Sequence, residues 1–221
     1  MFPPKLNCPW ALYEGYHSIF LCKSQVFWTN CLFSTAFVPD LLTFRLLCDR
    51  ITISFLKGEI VMTCAFTGHR NIKPEHRARI GDLLYRAVNY AYGKGCRTFI
   101  AGGALGFDTE AARQVIRYRI EHPDVRLVLF LPCLDQDAAW SAGQRDSYDY
   151  ILSSANEVRY VSESYDKTCM RRRNQAMAEE CDIMIAYVGR DRSGASQTLR
   201  MAREAGKETY NLYPELEKGS Y

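Results

Sequence analysis

The residues best placed to do chemistry lie in short turns that follow apolar segments. The run Ala101-Gly102-Gly103-Ala104-Leu105-Gly106-Phe107-Asp108 joins a β-rich stretch, Arg97-Thr98-Phe99-Ile100, to a helix-patterned segment starting at Thr109. Glycines at a strand-to-helix turn let backbone N–H groups approach a ligand with no Cβ in the way. The helix N-terminus adds partial positive charge, so the natural guest is an anion, a phosphate above all. The construction recurs at Phe66-Thr67-Gly68-His69-Arg70, after Met62-Thr63-Cys64-Ala65. Two such turns in one α/β domain predict a nucleotide or nucleic-acid site.

Each residue also has a plainer reading. Gly102, Gly103 and Gly106 either permit a tight turn or cradle a phosphate, and Thr67-Gly68-His69-Arg70 beside them favours the cradle. Arg70 is a solvated loop cation or the planar donor fork that phosphate recognition calls for. His69 is a base, a donor to a ligand edge, or simply packed. No nucleophile or paired carboxylate stands at a telling spacing, so no catalytic residue is assigned. Asp108 is most economically the N-cap of the following helix; the alternative has it receiving a ribose hydroxyl. Glu110 offsets the helix dipole. Arg171, Arg172 and Arg173 point about 100° apart on a helix, so one of them can face a cleft. Asn174 falls on an apolar stripe, where an amide needs partners. Trp140 and Tyr165 either stack on a base or cover the sheet edge.

Alternating apolar patterns position these turns. Strands are expected at Met62–Phe66, Arg97–Ala101, Val125–Leu131, Glu157–Val161, Asp182–Val188 and Glu208–Leu212. Val125–Leu131 is nearly unbroken in its apolar character, as a strand covered on both faces should be. Helices are expected at Glu75–Tyr92, with Pro74 at the start; from Thr109, with Ala112, Val115, Ile116 and Ile120 inward; from Ala138 to Ser154; at Lys167–Glu180; and from Gly194 to Ala205. Strict β/α alternation implies a doubly wound, mainly parallel Rossmann-like sheet with helices on both faces. Ligands of such sheets bind beyond the carboxyl ends of the strands. The unusual residues cluster there: Gly68-His69-Arg70, Gly102-Gly103, Pro132-Cys133, Ser162 to Tyr165 and Gly189 to Ser196.

The 221 residues carry a formal charge of +3, too little to argue for nucleic acid unaided. The nine cysteines show no C-x-x-C pair and the four histidines are scattered, so neither a disulfide framework nor a metal site is expected. Cys64, Cys133 and Cys181 sit in apolar stretches and read as small buried hydrophobes of a cytoplasmic protein.

Residues 1–61 do not share this pattern. They are rich in aromatics and cysteine, with no sustained amphipathic period and no good spanning helix or signal peptide. Lys57-Gly58-Glu59 before Ile60-Val61-Met62 back-translates to a purine-rich tract upstream of a start codon. The expectation is a translated leader or unpatterned extension over 1–61 and a single domain over 62–221. That domain carries 23 basic and 21 acidic residues.

Thr67-Gly68-His69-Arg70, Gly102 to Asp108, Gln136-x-x-x-Trp140, and Cys169-Met170 with Arg173-Asn174 occur in this order in a known group. From Met62 to about Tyr213 the chain resembles the YpsA/YspA-like proteins of the SLOG superfamily of Rossmann-like domains. That superfamily also holds the DNA-processing protein DprA and the LOG phosphoribohydrolases. The resemblance implies binding of a nucleotide or a nucleotide-derived, ADP-ribose-like phosphorylated ligand in a sensory or regulatory role, and favours Arg173 as the cleft-facing arginine. The family's Gly-Gly-Thr-x-x-Thr turn stands here as Ser193-Gly194-Ala195-Ser196-Gln197-Thr198, so its hydroxyl contact passes to Ser196, beside Gly194 and Thr198. Two alternatives follow from the relatives: single-stranded nucleic-acid binding in the manner of DprA, against which the near-neutral charge counts, and nucleotide N-glycosidic hydrolysis in the manner of LOG. The LOG motif Pro-Gly-Gly-x-Gly-Thr-x-x-Glu is absent, so no catalytic glutamate carries over. Pairing through helices to a homodimer is compatible with the resemblance, and no membrane contact of the domain is expected.

Overall fold

Strand β1 (Met62–Gly68) lies inside a six-stranded sheet in which every neighbouring pair is parallel. The computed structural model describes residues 61–218. Apart from Val61, the leader expected over 1–61 lies outside the described residues. The other strands are β2 (Cys96–Ala101), β3 (Arg126–Leu131), β4 (Glu157–Tyr160), β5 (Ile183–Tyr187) and β6 (Glu208–Asn211), and the sheet order is β4-β3-β2-β1-β5-β6. The helices are α1 (Pro74–Gly93), α2 (Phe107–Tyr118), α3 (Ala142–Ser154), α4 (Cys169–Glu180), α5 (Gly194–Glu204) and α6 (Tyr213–Lys218).

Strand side chains alternate between two covered faces, which is why the strands are apolar throughout. Phe66, Phe99, Leu129 and Ile185 pack under Leu84 and Val88 of α1, Val115 of α2 and Ile151 of α3. Ala65, Ile100, Val128, Phe130 and Met184 face Met177 of α4 and Leu199 and Ala202 of α5. The chain steps outward from β1 to β4 and then returns to the far side of β1 as β5. That reversal opens a crevice at the carboxyl ends of β1 and β5, where Gly68 is in register with Tyr187.

Four local expectations are corrected. Helix α2 starts at Phe107 and stops at Tyr118, so Ile120, placed inward by periodicity, is 79% exposed. Helix α3 starts at Ala142 rather than Ala138, because the Ser141 N–H donates to Gln144 Oε1 (2.9 Å) and fixes the first turn there. Helix α4 starts at Cys169, two positions past the expected Lys167, where the Asp166 carboxylate takes the Thr168 N–H at 2.7 Å. Strand β6 ends at Asn211 and is followed by α6, a short helix with no apolar stripe beyond the buried Leu216. The cysteines of the described residues are buried free thiols, Cys64, Cys133 and Cys181 among them. No helix among the described residues is long and apolar enough to cross a membrane.

Candidate functional site

A cleft of about 420 Å³ occupies the switch point. Of the residues singled out in sequence, it gathers Thr67, Gly68, His69 and Arg70 from the end of β1, Ala104 and Asp108 from the glycine turn and α2, Arg173 and Asn174 from α4, and Gly194 from α5. Arg190 and Ser193, which fall within the Gly189 to Ser196 segment but are not singled out by the sequence, also line it. Ser193 was legible as a helix N-cap before Gly194: its Oγ accepts the Ser196 N–H at 3.0 Å. Arg190 sits in an irregular loop and gives no periodic signal.

Of the glycine turn only Ala104 lines the cleft; Gly102 is buried behind it. The Gly102 carbonyl accepts a hydrogen bond from Arg173 Nη1. A Cβ at Gly102 would collide with that guanidinium and with Asp108, so the close approach needs glycine. The N-cap reading of Asp108 is corrected here. The cap position is Gly106, and Asp108 lies inside α2 with its carboxylate turned back toward the turn. There it lies near the N–H groups of Ala104 and Gly102, and Oδ2 stands 3.7 Å from Arg173 Nη1. Capping preference is local, whereas a buried guanidinium from another element claims this carboxylate. Burial pushes the Asp108 carboxyl up to about 6, against the pull of Arg173 and those N–H groups. Burial likewise lowers the Arg173 guanidinium below its usual range. Arg173 Nε is buried with no partner among the described residues.

His69 is 8% exposed, and its Nε2 accepts the Gly189 N–H at 2.9 Å. That bond requires the unprotonated Nε2, so the neutral ring carries its proton on Nδ1. Burial lowers its pKa, and the nearby Arg190 cation lowers it further. The side chains of Arg70 and Arg190 make no hydrogen bond or ion pair among the described residues. The N–H groups of Gly194 and Ala195, the first of α5, are also unbonded there. Asn174, half-buried, likewise has a free carboxamide. The cleft thus presents cationic forks and free amides to whatever enters it.

Other candidates stand elsewhere. Gly103 lies behind the cleft and accepts from Gln136 Nε2 (3.2 Å), and Gly106 opens toward a neighbouring cleft. Pro132 is buried, Trp140 packs edge-on against Tyr148 with ring centres 5.2 Å apart, and Tyr165 is 62% exposed; none of them lines the cleft. The Ser196 hydroxyl is spent on the Asp191 and Ser193 carbonyls (2.8 Å each), and Thr198 Oγ1 donates to the Gly194 carbonyl at 2.8 Å. Of this turn it is Ser193 that lines the cleft, as Thr67 does from β1. Among the described residues no cluster of three or more His, Cys, Asp or Glu is placed to hold a metal ion.

Comparison with known proteins places this geometry. A UPF0398 protein of Bacillus cereus (strain G9842) is 28% identical over 138 residues, which is 61% of this chain and 75% of that protein. A UPF0398 protein of Bacillus thuringiensis (strain Al Hakam) is 29% identical over a segment of the same length. Among solved structures, DprA from Streptococcus pneumoniae superposes with a TM-score of 0.50 at 19% identity, over 68% of this chain and 50% of that one. This chain therefore spans about half the length of the pneumococcal protein. DprA from Helicobacter pylori gives a TM-score of 0.50 at 20% identity, over 72% of this chain and 73% of that one. These two likenesses speak for the fold. The profile of the YspA SLOG family matches residues 65–214, and the chain belongs to that family.

Proposed function

We propose that the switch-point cleft binds a phosphorylated, nucleotide-derived ligand and that the protein acts by binding it, as a sensor or regulatory module. One observation carries the reading: two unpaired guanidiniums, Arg70 and Arg190, and the free first N–H groups of α5 line the same cleft. An anion there would meet charge-assisted donors at a helix N-terminus. His69, neutral through burial, offers a polar ring with no charge of its own.

Thermal melting of the full chain against adenosine monophosphate, ADP-ribose, NAD and a single-stranded oligonucleotide tests it. A ligand at a hundredfold excess over Kd stabilises by about 2.7 kcal/mol. The expected result is a higher melting temperature with a nucleotide, lost on Arg190→Ala. No shift with any nucleotide would overturn the reading. The Helicobacter pylori relative is described by its single-stranded DNA binding mode. A shift with the oligonucleotide alone, falling steeply with salt, would move this chain to that class.

A further inference from the structure

The loop that carries Arg190 leaves the sheet at Val188, and a side chain of the neighbouring strand sets its course. Asn211, the last residue of β6, is in register with Ala186 of β5. Its carboxamide reaches past that pair: Oδ1 accepts the Val188 N–H at 3.0 Å, and Nδ2 donates to the Val188 carbonyl at 2.8 Å. One side chain thus supplies the donor and the acceptor that a further strand residue would have supplied. The same Oδ1 accepts the Tyr213 N–H at 3.2 Å and so fixes the start of α6 beside that loop.

Tyr213 holds the residue that follows. Its ring lies so close to Gly189 that an added Cβ would overlap it. The Gly189 N–H donates to His69 Nε2, so the bond that sets the His69 tautomer depends on a backbone unit that Asn211 and Tyr213 fix. Arg190 is next in the chain. The loop that carries Arg70 meets the same ring. Lys73, which ends that loop, holds Nζ 5.1 Å from the Tyr213 ring centre and 2.5 Å from Glu217 Oε1 of α6. Its N–H donates to the Tyr187 hydroxyl at 3.2 Å. Neither Asn211 nor Tyr213 lines the cleft, yet both loops that bring it an unpaired guanidinium are fastened at Tyr213 from behind.

We infer that Asn211 and Tyr213 are the positioning residues of the anion cleft. They set the backbone at Val188 and Gly189, and through it the tautomer of His69 and the point from which Arg190 meets a phosphate. A change at either weakens binding without removing any group that touches the ligand. This rests on the reading of the cleft as a phosphate site.

Two measurements on the full chain test it. Titration calorimetry uses adenosine monophosphate, ADP-ribose and NAD as probes. Nitrogen NMR of the His69 ring is recorded at pH 8, where burial and Arg190 keep the imidazole neutral. The proteins are wild type, Asn211→Ala, Tyr213→Ala, Tyr213→Phe and Arg190→Ala. Wild type should show the Nδ1–H tautomer alone. Asn211→Ala and Tyr213→Ala should bind about tenfold more weakly, within the usual range of coupling between separate sites, and show mixed tautomers. Tyr213→Phe keeps the ring on Gly189 and should match wild type in both. Arg190→Ala should lose affinity with the tautomer unchanged, which separates a contact from its positioning. Asn211 is half-buried on an edge strand, so its variant should stay folded even where loss of the Tyr213 ring unfolds the chain. A wild-type Kd or a single tautomer in Asn211→Ala would overturn the positioning role and leave the cleft reading standing. A Tyr213→Phe protein as impaired as Tyr213→Ala would overturn the part given to the ring. Failure of wild type to bind any of the three probes would overturn the phosphate reading and the positioning role with it.

Discussion

Asp108 Oδ2 stands 3.7 Å from Arg173 Nη1 beneath the glycine turn, and each side chain is 7% exposed. The pair ties α2 to α4 across the end of the sheet, both residues line the cleft, and Arg173 also donates to the Gly102 carbonyl. Neither group is at ease. Burial raises the carboxyl to about 6 and depresses the guanidinium. Taking two charges out of water is costly even when they meet, and removing one leaves the other uncompensated.

Arg173→Met should therefore lower the unfolding free energy by about 3 kcal/mol at pH 8, the usual scale for breaking a buried pair. The loss should be smaller at pH 5, where Asp108 can take up a proton instead of standing as an unpaired charge. Urea denaturation at both pH values measures it. Equal losses would contradict the pairing.

The same carboxyl gives stability a pH dependence of unusual sign. Its folded pKa of about 6 exceeds the ordinary 3.8, so the folded state holds the proton more tightly than the unfolded chain. The contribution is absent above about pH 6, grows as pH falls from there toward 3.8, and is full below that. It amounts to at most about 3 kcal/mol, at 1.36 kcal/mol per pH unit. Glu157, Glu208 and Glu217, lowered by hydrogen bonds from Arg159, Tyr210 and Lys73, run the opposite way. Comparison with Asp108→Asn isolates the one group: wild type should gain stability over the variant as pH falls from 7 to 4. A constant difference would contradict it.

The strands and the turns after them were legible because a doubly covered sheet demands apolar runs, as in Val125–Leu131, and because a close backbone approach demands glycine. Long-range partnerships were not. Asp108 looked like a cap because its true partner, Arg173, comes from a helix that sequence periodicity treats separately. Ile120 was placed inward by extending a helical stripe past Tyr118, where the helix has ended. Arg190 lies in a loop without period, and α6 is a polar turn and a half held by Leu216 and by Tyr213 against Gly189. Ser196 and Thr198 carried the right hydroxyls, but the local geometry of α5 uses both internally.

Gly106→Ala should lower stability by about 2–4 kcal/mol, since it combines a positive φ with overlap on the Arg70 backbone. Gly143→Ala serves as the contrast. That glycine lies in α3 with nothing within 4 Å of an added Cβ, and the change should stabilise by about 0.5 kcal/mol. Thermal denaturation of both variants checks the pair, and comparable effects of like sign would contradict the close approach of Gly106 to the Arg70 backbone.

The most direct test of the anion cleft is an amide-resolved NMR titration of the full chain with adenosine monophosphate. The N–H signals of Gly194, Ala195 and the segment from Gly68 to Asn71 should shift together and saturate, with the outer face of α1 unaffected. The Arg190→Ala protein should need a higher concentration to reach the same shifts. Saturable shifts elsewhere, or none at these amides, would contradict the claim that the end of β1 and the start of α5 hold the phosphate.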